Sequence, residues 1–74
     1  MDFENEKIKF GKAIKYFRSI QEPKPWSLQK LADEANLEKA TLHRIEQGKV
    51  NFTFKTILSI ADALKVSPSD FFNL

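Results

Sequence analysis

The stretch Leu28–Lys49, LQKLADEANLEKATLHRIEQGK, contains two short apolar stripes. Leu28, Leu31, Ala32 and Ala35 form one; Leu37, Thr41, Leu42 and Ile45 form the other. Each has the spacing of one helix face. Asn36 stands between them, and Asn tolerates the left-handed backbone that a tight turn needs. The spacing predicts a helix over Leu28–Ala35, a sharp turn at Asn36, and a helix over about Lys39–Gln47 stopped by Gly48. The second helix then carries an outward row, Lys39, Ala40, His43 and Arg44, which Gln47 continues.

Upstream, Phe10, Ala13, Ile14, Phe17 and Ile20 predict a first helix over about Lys7–Gln21. Gly11 lies inside it, at a cost of about 1 kcal/mol relative to Ala unless something packs closely there. Residues 1–6 are read as a candidate disordered lead. Glu22–Trp26, EPKPW, breaks the periodicity, because Pro23 and Pro25 cannot continue a helix. Ser27 suits the N-cap of the next helix, with Trp26 placed as a hydrophobic staple. Glu38 suits the cap of the helix after it. Downstream, Thr53 can cap a helix over Phe54–Lys65 with Ile57, Ile60, Ala61 and Leu64 inward. Ser67–Asp70, SPSD, opens a short fifth helix with a capping box. The reading is all-α: about five short helices round one core.

A chain of 74 residues implies a single domain over 1–74. Hydrophobic residues at 42% and charged residues at 30% fit a globular protein rather than a disordered one. The absence of cysteine removes a disulfide scaffold, a cysteine zinc site and a thiol nucleophile. MDFENEKIKF is too acidic for a secretory signal, and FKTILSIADALKV is too short and too charged to span a membrane. His43 is the sole histidine. With no cysteine or carboxylate cluster beside it, no metal site, catalytic residue or cofactor is expected. The glycines are isolated and make no phosphate-binding loop. Net charge is only +2, so distribution matters more. Leu37–Lys55 holds Lys39, Arg44, Lys49 and Lys55 against Glu38 and Glu46, whereas Asp2, Glu4 and Glu6 make the start acidic.

By spacing alone, Leu28–Gln47 is a helix-turn-helix. From Phe10 to Leu74 the chain resembles the Cro/C1-type, or XRE, family of transcriptional regulators. The matching segments are GKAIKYFR, SLQKLADEANLEKATLHRIEQGK and ILSIADALKVSPSDFF, in the family's order. Arg18 late in the first helix, the Leu31–Ala32 pair, the IEQGK ending and the ADALKVSPSDFF run carry the likeness. Each has a physical reason: Ala32 lets the third helix cross close to the second, and Gly48 permits a left-handed turn.

The resemblance implies a lambda-repressor-like DNA-binding domain whose third helix enters the major groove. Carried over by position, Lys39, Ala40 and Arg44 face base edges, with His43 beside them. Arg44 and Lys39 suit guanine, Ala40 suits a thymine methyl, and Glu38, read first as a cap, could instead read a cytosine amino group. Ser27, Gln29, Thr41, Lys49, Asn51 and Lys55 are the phosphate candidates, though Thr41 could instead complete the core face. Arg18 and Glu46 are expected to pair across helices. Two departures stand out. Leu28 occupies the position where the family often has a phosphate-gripping Gln. The loop QEPKPWS is about three residues longer than usual; one reading carries Lys24 and Trp26 towards the DNA backbone, and the favoured one makes Trp26 a core cap and Lys24 a solvated charge.

The expected partner is double-stranded DNA, bound by a homodimer on a two-fold symmetric operator, with Phe71, Phe72 and Leu74 as the dimer joint. No small-molecule ligand or membrane partner is expected. Regulation is expected through concentration, dimerisation or a protein partner, in a prokaryotic cytoplasm at the nucleoid. The rival reading is a protein-interaction module, or an antitoxin-like partner-binding protein, on the same fold.

Overall fold

The computed structural model describes residues 2–73. Four α-helices, α1 (Phe3–Ser19), α2 (Leu28–Ala35), α3 (Lys39–Glu46) and α4 (Phe54–Leu64), precede a 3₁₀ helix at Pro68–Phe72. The fifth helix is therefore a 3₁₀ segment. Its cap is as read: the Asp70 carboxylate accepts from the Ser67 N–H at 2.9 Å, and Ser67 Oγ accepts from Ser69.

α1 begins four residues before the expected Lys7 and takes in residues 3–6. Asp2 is the cause: its Oδ1 accepts from the Glu4 N–H at 3.1 Å and caps the helix. Lys7 then ties the first turns down. It is buried, pairs with Glu4 at 2.8 Å and donates to Asn51 Oδ1 at 3.4 Å. α1 closes at Ser19, α3 at Glu46 and α4 at Leu64, each one or two residues short of the expected end.

α2 meets its expected bounds. Ser27 Oγ accepts from the Lys30 N–H at 3.0 Å, and Asn36 adopts the left-handed conformation, φ 58°. That single residue reverses the chain into α3. Glu38 holds the N-cap position of α3, but its side chain makes no capping bond. The expectation that it caps is corrected: Glu is outside the short-chain set that reaches back to the first turn.

The core joins Phe10 and Ile14 of α1, Leu31 and Ala32 of α2, Leu42 and Ile45 of α3, and Ile60 and Leu64 of α4. Phe10 is its aromatic centre, edge-on to Phe71 at 5.0 Å and 4.5 Å from Phe52. Phe71 is 1% exposed. This corrects its assignment to a dimer joint, since the 3₁₀ turn aims it inward at Phe10 and Phe17.

Gly11 explains itself in this packing. A methyl there would overlap Glu46 O and lie 2.8 Å from Ile45 O. The backbone of α1 thus sits directly on the last turn of α3, and only glycine permits that approach.

Candidate nucleic-acid interface

α3 divides cleanly into two faces. Leu42, Ile45 and Glu46 are buried. Lys39, Ala40, His43, Arg44 and Gln47 are exposed and lie together on the outer face. The helix is anchored at its start by the half-buried Leu37 and at its end by Arg18.

The Arg18–Glu46 contact is a two-pronged ion pair. Nε donates to Oε2 at 2.7 Å and Nη2 to Oε1 at 2.8 Å. The Glu46 side chain is 1% exposed and that of Arg18 is 18% exposed. A carboxylate so deeply buried is tolerable only because both oxygens accept charge-assisted bonds. Arg18 Nη1 donates further to the Trp26 carbonyl at 2.9 Å. One guanidinium thereby fixes the last turn of α3, α1 and the loop before α2 in a single arrangement.

The phosphate candidates divide. Lys49, Asn51 and Lys55 are exposed around the start of α4. Among the described residues, Lys39, Arg44, Lys49 and Lys55 make no salt bridge. Their charge is left to solvent or a ligand. Asn51 Oδ1 accepts from Lys7, which orients its amide. On the α2 side the candidates are occupied: Ser27 Oγ serves the cap, and Gln29 Nε2 donates to Asp33 Oδ1 at 2.8 Å. Leu28 packs against the core and Thr41 is half-buried.

The family model for the Cro/C1-type helix-turn-helix DNA-binding domain matches residues 20–74. The chain belongs to the Cro/C1-type helix-turn-helix family. This Cro/C1-type domain is also similar to two solved structures. The restriction-modification controller protein C.AhdI from Aeromonas hydrophila superposes with a TM-score of 0.83 at 26% identity, covering 92% of this chain and 98% of that one. An HTH_3 family transcriptional regulator from Vibrio cholerae gives a TM-score of 0.87 at 29% identity, covering 97% of this chain but only 39% of that one. No curated protein sequence matches it.

Among the described residues no helix is long and apolar enough to cross a membrane. No group of three His, Cys, Asp or Glu side chains there could hold a metal ion.

One surface feature escaped the sequence reading. Phe54 is 70% exposed and Leu58, one turn later, is 41% exposed. Both fall outside the inward stripe of Ile57, Ile60, Ala61 and Leu64, so the misfit was visible as an i, i+4 apolar pair on the wrong face. Phe72, expected at the dimer joint, is 42% exposed and lies over Phe10 at 5.8 Å. Leu74 lies outside the described residues.

Proposed function

We propose that this Cro/C1-type domain is a sequence-specific transcriptional regulator that inserts α3 into the DNA major groove. The observation that supports this best is the outer face of α3. Lys39 and Arg44 stand exposed without acidic partners among the described residues, while the opposite face is locked by Leu42, Ile45 and the Arg18–Glu46 pair. A rigid helix with free donors on one side suits base-edge recognition. Arg44 and Lys39 read guanine, Ala40 touches a thymine methyl, and His43 contacts the adjoining base. Lys49, Asn51 and Lys55 hold phosphates and set register.

The regulator acts as a homodimer. The chain measures 36 × 24 × 19 Å. Its one candidate reading helix, α3, has eight residues and spans about 12 Å, enough for one half-site, whereas paired half-sites are about 34 Å apart. The exposed Phe54–Leu58 pair next to Lys55 supports a joint on α4, with Phe72 and Leu74 as the remaining candidates from the sequence. An assembly of this kind works in a prokaryotic cytoplasm, where its concentration sets operator occupancy.

The rival is a protein-interaction module, or an antitoxin-like partner-binding protein, on the same fold. Leu28 favours it, since its packing on the core removes a polar contact from the DNA side. A salt titration on random duplex DNA separates the two. A DNA binder loses log affinity linearly with log salt, by about 0.9 per phosphate contact. Binding that is absent, or flat with salt, would select the interaction module.

A further inference from the structure

We propose that the loop between α1 and α2 is a second grip on the DNA backbone, with Lys24 as its phosphate-binding cation. This rests on the DNA-binding reading above. In that reading Lys49 and Lys55 hold one flank of α3. The other flank, at the first turn of α2, has lost its side-chain donors to the fold. Leu28 lies against the core, the Gln29 amide is held by Asp33, and Ser27 Oγ caps the helix. Among the described residues, the cations lining the concavity beside that turn are Lys24 and Lys30, which share it with Glu22, Trp26 and Ser27.

The two lysines are not equivalent. Lys30 is already engaged, 3.8 Å from Glu34 and 5.4 Å above the Trp26 ring. Lys24 is exposed and makes no salt bridge among the described residues, with Glu22 included. Its position is nevertheless set. Pro23 and Pro25 restrict the backbone on both sides of it. Trp26 is half-buried; its N–H donates to the Arg18 carbonyl at 3.0 Å, and its own carbonyl accepts from Arg18 Nη1 at 2.9 Å. Arg18 is also the side chain that grips Glu46 at the end of α3. The base of the loop and the reading helix are therefore tied to one guanidinium. A cation mounted on a stiff loop gives up less conformational freedom on binding than one on a free loop. The longer loop thus supplies a contact that Leu28 cannot make.

Binding of wild type, Lys24→Ala, Lys24→Arg and Lys12→Ala to a random duplex, measured across salt concentrations, tests this. Lys12 lies on α1 beside Phe71 of the 3₁₀ helix and carries the same charge, so it controls for net charge. Lys24→Ala is expected to shrink the slope of log affinity against log salt by about 0.9, while Lys24→Arg and Lys12→Ala keep the wild-type slope. A wild-type slope in Lys24→Ala alongside a reduced one in Lys55→Ala overturns the loop contact and leaves the DNA-binding reading standing. Equal losses in Lys24→Ala and Lys12→Ala also overturn it, by assigning the effect to net charge. Absence of salt-dependent binding by wild type removes the DNA-binding reading itself.

Discussion

Arg18 of α1 holds Glu46 of α3 by parallel bonds of 2.7 and 2.8 Å, across 28 residues of sequence. The pair is the only salt bridge between side chains of α1 and α3 among the described residues. It orients α3 more than it adds net stability, because desolvating both groups offsets much of their attraction. Glu46→Ala strands Arg18 and is expected to lower unfolding free energy by about 3 kcal/mol. Arg18→Met with Glu46→Leu should recover much of that loss. Urea denaturation in a double-mutant cycle checks it, and simple additivity would show that the two side chains are not coupled.

Gly11→Ala sets two effects against each other. Helix propensity alone predicts a gain of about 1 kcal/mol. The added methyl meets the carbonyls of Ile45 and Glu46, and overpacking of this kind costs about 1–3 kcal/mol. We expect net destabilisation in thermal or urea unfolding. A more stable Gly11→Ala protein would mean that α1 does not sit on the end of α3.

Phe71 and Phe54 should behave in opposite ways. Phe71→Ala opens a cavity beside Phe10 and is expected to cost about 3–5 kcal/mol of stability. Phe54→Ser, at a position 70% exposed, should leave unfolding nearly unchanged but weaken self-association in sedimentation equilibrium. If Phe54→Ser associates as wild type does, the joint lies elsewhere.

Lys55→Ala should reduce affinity for every duplex by about the same factor and lower the salt slope by about 0.9. Competition between a preferred site and random DNA measures both. A shift in sequence preference would place Lys55 at a base rather than at a phosphate.

Much of this was legible in the sequence, and the exceptions share a cause. Asn36, Gly48, Ser27, Thr53 and the Ser67–Asp70 box act within a few residues of themselves, so local chemistry reveals them. The outer row of α3 is likewise fixed by helical period once Leu42 and Ile45 point inward. The start of α1 was misread because its signal is a cap, Asp2, and a buried Lys7 whose partner Asn51 is 44 residues away. No periodicity reports a contact of that range. Gly11 announced a close approach without naming α3. Phe71 and Phe72 are adjacent and alike in sequence, yet one is buried and one is not. Only the 3₁₀ geometry separates them.

The central claim is that Arg44 reads a base from the outer face of α3. Selection of bound sequences from a random DNA pool, for wild type and Arg44→Ala in parallel, tests it most directly. The account predicts a two-fold symmetric site for wild type. For Arg44→Ala it predicts a loss of preference at one position in each half-site and an affinity lower by about 1–3 kcal/mol. An unchanged preferred site at unchanged affinity would contradict it.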